Sequence, residues 1–400
     1  MRDDELQVLG QTRKVGKREK LIKGILSVAV VIALVVIGAF LHKTFFSNDS
    51  DWAENNTNKT IIPKLQEAVD SMLNRKLEEI KGLQGQVIIM KVDSGEILAM
   101  AGRERNYEGK FQPCVNFAYQ QVLGALVKVP SLLAALETGE AKLSDVVDTE
   151  SGIWQIDDER VLKDHNWLRG GYGEITLDKS IEISSNIGIG KTIWRLYKGH
   201  EQDFFNSLDS MSFGQPSEID GIEGLRASIY CSPKDSDWVN KDIIWSSIGY
   251  NHKIAPIQVL TFYNAIANNG KMVKPTLKPG SVEIINEQIA SKENITLMQQ
   301  TLEHVVSQGL GVRAGVSLIK VAGKTATSQV DEYYEGDNTV REYQLAFCGF
   351  FPADDPKYSM IVSLNKLGLP ASGGGMAGTL FHDIVECMIA HGINMGSVVK

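Results

Sequence analysis

Residues 321–330 read VAGKTATSQV. An apolar pair leads through Gly323 to Lys324, Thr325, Ala326 and Thr327, after which the chain turns polar. A basic side chain and a run of hydroxyls on a β-prone segment form an anion-binding edge. Downstream, EYQLAFCGFFP and KYSMIVSLNKL carry the same β-branched and aromatic signal. Upstream, GQVIIMKVDSGEILAMAG (85–102) reads as a hairpin, two β-prone runs around Asp93-Ser94-Gly95. Residues 124–310 between these blocks are mostly helical in pattern, as in TLDKSIEISSNIGIGKTIWRLY (176–197), APIQVLTFYNAIANNG (255–270) and NITLMQQTLEHVVSQG (294–309). A helix is expected over 61–81, on Ile62, Leu65, Val69, Met72, Leu73, Leu77 and Ile80, and another over 376–391. Two strands, a helical insertion, three strands and a helix predict an α+β domain: a five-stranded antiparallel sheet with helices packed on it and an all-helical subdomain.

The charge is unevenly placed. The net charge is −8, which argues against nucleic acid as the main partner. Residues 1–23 carry seven Lys/Arg and four Asp/Glu, while the rest holds 34 basic and 45 acidic residues, a net of −11. Residues 24–41, GILSVAVVIALVVIGAFL, contain no charge. With Leu21, Ile22, Phe45 and Phe46 flanking, a helix rising about 1.5 Å per residue reaches across a hydrocarbon core. A cleaved signal peptide is the rival; its apolar region is shorter, and HKTFF follows instead of an A-x-A-like site. An uncleaved single-pass anchor is expected, with Arg13, Lys14, Lys17, Arg18, Lys20 and Lys23 holding the N-terminus in the cytoplasm. The expected organisation is a basic tail (1–23), an anchor (24–41), a linker (42–60) and one extracytoplasmic domain (61–400). Cys114, Cys231, Cys348 and Cys387 form no C-x-x-C pair, and no H-E-x-x-H occurs. Neither a metal nor another cofactor is expected, and buried thiols are favoured over disulfides. SGGGMAG (372–378) lacks the P-loop lysine and reads as a turn before the last helix. The seven histidines are scattered and suggest surface or core roles.

Serine acyl transfer by a Ser-x-x-Lys pair places nucleophile and base one helical turn apart, so that the amine reaches the hydroxyl. A second Ser and an Asn come from a distant loop, and a Lys-Thr strand closes the other side. With these parts in view, the chain resembles the transpeptidase domain of class B penicillin-binding proteins, serine acyltransferases that cross-link peptidoglycan. SSNIG (184–188) is similar to their S-x-N motif, giving Ser184 and Asn186. VAGKTATSQ is similar to their K-T-G strand, giving Lys324, Thr325 and Thr327 as substrate-binding positions. WSSIGYNHKIAPIQVLTFYNAIANNGKMVKP (245–275) resembles their SIGY…TPLQ segment and its helix, and GFFPADDPKYSMIV (349–362) their fourth and fifth strands. The likeness spans about 60–390, and the motif order agrees.

Three departures stand out. Fewer than about 45 residues separate the apolar segment from the domain, too few for the pedestal that the family carries there. The S-x-x-K tetrad falls within VLGALVKVPSLLAALETG (122–139) as Ala125-Leu126-Val127-Lys128, with the flanking Gly124 and Pro130 also matching. Lys128 keeps the base; Ala125 replaces the nucleophile and can form no acyl-enzyme. Ala326 stands where the family has Gly, and its methyl is expected to narrow the pocket. Ser317–Lys320 and Ser363–Lys366 also fit S-x-x-K but fall in expected strands, where i and i+3 face apart. Ser131 reads as structural.

For Lys128, Ser184, Asn186, Lys324 and Thr325 two readings stand side by side: a network that persists because its members satisfy one another, or a retained ligand site. The resemblance implies a bacterial plasma-membrane protein of cell-wall synthesis, catalytically inactive, that binds peptidoglycan stem peptide, β-lactam without a covalent bond, or other wall-synthesis proteins. Its rivals are an active D,D-transpeptidase or carboxypeptidase with a displaced serine, at Ser131 or Ser184, and a β-lactam or muropeptide sensor.

Overall fold

The structure, a computed structural model, describes residues 60–335 and 338–396. The expected anchor at 24–41 lies outside these. No helix among the described residues is long and apolar enough to cross a membrane.

In chain order the elements are α1 (Pro63–Glu79), β1 (Gly82–Lys91), β2 (Ile97–Arg105) and β3 (Phe111–Pro113). The insertion follows with α2 (Lys128–Glu137), β4 (Val146–Asp148), β5 (Ile153–Gln155), β6 (Val161–Lys163), β7 (Glu174–Thr176), α3 (Leu177–Glu182), α4 (Asn186–Tyr197), α5 (Gln202–Ser210), β8 (Ile229–Tyr230), α6 (Asp242–Ser247), β9 (His252–Lys253), α7 (Pro256–Ala267), β10 (Met272–Val273), β11 (Ile284–Asn286) and α8 (Lys292–Ser307). The chain then closes with β12 (Ala322–Glu335), β13 (Asn338–Phe351), β14 (Tyr358–Leu367) and α9 (Thr379–Ala390).

The main sheet is antiparallel and runs β12-β13-β14-β1-β2-β3. It has six strands, one more than expected. The extra strand is β3, three residues paired to the end of β2. It has no alternation to read, and its proline is tolerated because it lies at the sheet edge. The insertion is not all-helical: β4 pairs with β7, β5 with β6, β8 with β9 and β10 with β11. Strands of two or three residues leave no periodic trace in sequence. Nor does SLIKVAGKTATS form one strand: β12 begins at Ala322, so Ser317–Lys320 lies in the loop before it, whereas Ser363–Lys366 is in β14.

Pro63 starts α1, and its fixed φ suits a first helical position. Leu65, Val69, Leu73 and Leu77 form an i, i+4 stripe, all fully buried. α1 and α9 cover one face of the sheet, in a cluster with Val87, Ile89, Phe347 and Phe381. The other face, with Ile88, Met90, Cys348 and Ile361, packs on α7. Every residue of α7 is buried, as a helix enclosed on all sides requires. The four cysteines are free; Cys348 is buried and the others partly exposed. The site forms where β12, α2 and α4 converge.

Candidate active site

The segment that should carry a nucleophile is a tight 3-10 turn, Gly124–Val127, running into α2 at Lys128. Gly124 has φ +50, and a Cβ there would lie 1.7 Å from Ser328 Oγ on β12, so only glycine brings the turn this close to the strand. Tyr263, on the buried α7, donates its hydroxyl to Leu126 O at 2.9 Å and fixes the turn from behind. Ala125 is partly exposed and faces the cleft.

Lys128 is 1% exposed. Its Nζ donates to Ser184 O at 2.6 Å, to Asn186 Oδ1 at 2.6 Å and to Ser184 Oγ at 3.2 Å. Burial pushes the amine down to about 7, and the Asp164 carboxylate pulls the other way. Ser184 has φ +57, unusual for a residue with a side chain, just before α4. Ser185 is the N-cap of α4: its Oγ accepts from Gly188 N at 2.9 Å. Asn186 donates from Nδ2 to Lys163 O at 2.8 Å.

Asp164 holds this loop in place and was not singled out from sequence. It follows β6 and is buried. It accepts from Ser185 Oγ at 2.7 Å, Asn186 N at 2.6 Å and Ile187 N at 3.1 Å. An anion there satisfies orphan donors of the first turn of α4 and complements its dipole. Its neighbour His165 is an exposed residue that lines the cleft. Tyr172 Oη lies 2.8 Å and Ile183 O 3.2 Å from His165 Nε2. Burial holds His165 below the usual imidazole value.

On β12 successive residues face opposite ways. Lys324 is fully buried, with Nζ donating to Thr325 O at 2.9 Å. Burial, with Lys128 adding to it, pushes its amine well below the ordinary lysine value. Ala326 is 3% exposed and packs in the core, so its methyl sits outside the cleft lining. Thr325, Thr327 and Ser328 do line the cleft.

The cleft has a volume of about 320 Å³. Lys128, Ser184, Asn186 and His165 give it polar lining, and Ala125, Ile248 and Leu310, with the Tyr250 ring, apolar lining. Ser131 is fully buried, with its hydroxyl unpartnered among the described residues, and is not part of the lining. No group of three or more His, Cys, Asp or Glu among the described residues is placed to hold a metal. The arrangement holds a buried amine, a second-loop serine and asparagine, and a hydroxyl-bearing strand around a methyl group.

The family description "penicillin binding protein transpeptidase domain" matches residues 85–386. Stage V sporulation protein D of Bacillus subtilis (strain 168) is 26% identical over 343 residues, covering 80% of this chain and 51% of that protein. Peptidoglycan D,D-transpeptidase FtsI of Escherichia coli (strain K12) is 24% identical over 327 residues, covering 80% of this chain and 53% of that protein. The chain thus spans about half the length of these curated relatives. In fold, it is similar to the TP domain of Burkholderia pseudomallei penicillin-binding protein 3 in its apo structure: TM-score 0.71, 23% identity, 86% of this chain and 99% of that one.

Proposed function

The chain belongs to the penicillin-binding protein transpeptidase family, and from that premise we propose that it is a catalytically silent member that binds peptidoglycan stem peptide without forming an acyl-enzyme. The observation that carries this is Ala125, whose methyl stands at the cleft beside the buried Lys128 amine. Acyl transfer needs an oxygen or sulfur nucleophile within reach of a base, and alanine has neither. The surrounding polar groups remain able to hold a peptide. The apolar, uncharged stretch at 24–41 supports a single-pass anchor with the domain outside the cytoplasm, and partner wall-synthesis proteins are part of this reading.

The test is labelling of the full chain in detergent with a fluorescent penicillin, followed by a denaturing gel. Wild type is expected to give no covalent band, and Ala125→Ser to gain one. A wild-type band that disappears when the protein is boiled beforehand overturns the reading.

One observation favours a second reading, an active enzyme with a displaced serine. Ser184 Oγ lies 3.2 Å from Lys128 Nζ and faces the cleft. That reading requires a wild-type band abolished by Ser184→Ala. Against it, the same amine makes its two shortest hydrogen bonds, at 2.6 Å, to Ser184 O and Asn186 Oδ1 rather than to Ser184 Oγ.

A further inference from the structure

Outside the cleft, a layer of buried carboxamides crosses the main sheet on the face that carries Ile88 and Met90. Gln86 stands on β1, Asn365 on β14 and Gln344 on β13, where it pairs with Asn365. Asn116, from the segment after β3, reaches over β2: a Cβ on Gly102, the cross-strand partner of Gln86, would lie 2.5 Å from Asn116 Oδ1. Three oxygens of this layer have no hydrogen-bond partner among the described residues: Gln86 Oε1, Asn116 Oδ1 and Asn365 Oδ1. Their residues are at most 2% exposed.

The orientation of each amide is forced. Asn116 Nδ2 donates to Gly85 O at 3.2 Å and to Arg103 O at 3.1 Å. Gln121 Nε2 donates to Asn116 O at 2.9 Å, which turns Gln121 Oε1 to accept from Gln86 Nε2, also at 2.9 Å. Asn365 Nδ2 donates to Gln344 Oε1 at 3.1 Å and to Glu342 Oε1 at 2.5 Å. Every acceptor here is a carbonyl or carboxylate oxygen, so turning over any of the three amides would set oxygen against oxygen. The neighbouring Lys366 cannot supply the missing positive charge, because its amine is bonded to the carbonyls of Leu367, Gly368 and Pro370. Buried acceptors are costly to leave bare. A water donates to two of them but brings lone pairs of its own into a layer facing oxygens; a cation brings none. Calcium sites draw on several carboxylates, whereas these ligands are neutral amides with Glu342 at one edge. Neighbouring strands lie about 4.8 Å apart, so an ion above β1 is one strand spacing from both β2 and β14, a spread that suits a large monovalent ion.

We propose that Gln86, Asn116 and Asn365 form a buried site for a monovalent cation of potassium size, held between the sheet and the segment 116–121. The ion ties that segment to the sheet. Gln121 exchanges both backbone hydrogen bonds with Ile254 at 3.0 Å, and the chain runs from it into the tight turn at Gly124 that carries Ala125. The ion thus steadies one wall of the cleft from behind, whatever the cleft binds.

The test is thermal unfolding of the full chain in detergent, in potassium chloride and in choline chloride at equal ionic strength. Choline is too large for the buried layer, and the melting temperature is expected to be about 2–4 °C higher in potassium. Gln86→Met keeps the length of the side chain and removes its oxygen; it should abolish the potassium increment whatever it does to stability in choline. Crystals of the full chain soaked in thallium(I) acetate, a potassium analogue with strong anomalous scattering, should show a peak among the three oxygens. Equal melting temperatures in the two salts overturn the inference, as does an increment that survives in Gln86→Met. Should that variant fail to fold, the thallium map decides alone, and a water or no peak at that position overturns the inference.

Discussion

His252 gives the sharpest quantitative prediction because it is buried and only the Ser246 backbone offers its ring a weak polar contact. It lies on β9, 1% exposed, and neither ring nitrogen has a hydrogen-bond partner among the described residues. Phe213 packs edge-on with ring centroids 6.3 Å apart, and Tyr230 lies at 5.7 Å. Burial pushes the imidazole down to about 4, with the Ser246 backbone pulling the other way. The unfolded chain titrates near 6.5. Above that pH the ring is neutral in both states and contributes no pH dependence. Between 6.5 and about 4 the unfolded chain takes up a proton that the folded chain refuses, so stability falls as pH falls. At pH 5 the gap amounts to about 1.5 pK units, or ~2 kcal/mol. Below 4 the loss saturates near ~3 kcal/mol. His252→Phe removes the term and gives up at most the weak contact with the Ser246 backbone. Urea unfolding of wild type and variant at pH 8 and pH 5 isolates it, because the other titrating groups are common to both proteins. Wild type is expected to lose about 2 kcal/mol more than the variant across that interval. Equal losses would refute the reasoning and mean that the ring is partnered or already charged.

Asp164→Asn should destabilise the domain by about 3–5 kcal/mol, since a buried charge is removed from beside a buried amine and an N–H₂ is turned on backbone donors; a melting temperature within a degree of wild type would sink the assignment. Gly124→Ala should cost roughly 2 kcal/mol or more, from the left-handed backbone and the overlap with Ser328 Oγ. Adding Ser328→Gly should recover the overlap but not the backbone strain. Full recovery would mean that φ at residue 124 does not matter.

The parts of the fold visible in sequence were those with strong periodicity. The hairpin around Gly95 and the helices at 63–79 and 256–267 are long enough for burial to impose a pattern. β3 and the four small ribbons were hidden because two or three residues bury too little to leave a trace. In the site, Lys128, Ser184 and Asn186 could be proposed together because they sit in spaced motifs, and they do converge. Asp164 could not. It lies 22 residues before Asn186, in no motif, and it acts by accepting backbone N–H groups, which any sequence supplies. The burial of Lys324 was also unreadable, since strand alternation gives a face but not what covers it.

The pattern of what is lost and kept at the site follows from where each group sits. An ammonium has three hydrogens to place. Lys128 places them on Ser184 O, Ser184 Oγ and Asn186 Oδ1, with no call on residue 125. A serine hydroxyl can therefore be deleted there without stranding a buried polar group, and the methyl that remains is partly exposed. Removing Lys128 is a different matter, because it would leave those oxygens facing a cavity without a donor, at about 1–3 kcal/mol for each that finds no substitute. On the reading proposed above, the nucleophile is missing at the position where the fold tolerates its absence best. The buried network would persist on these grounds with or without a ligand, so its survival is no evidence of binding.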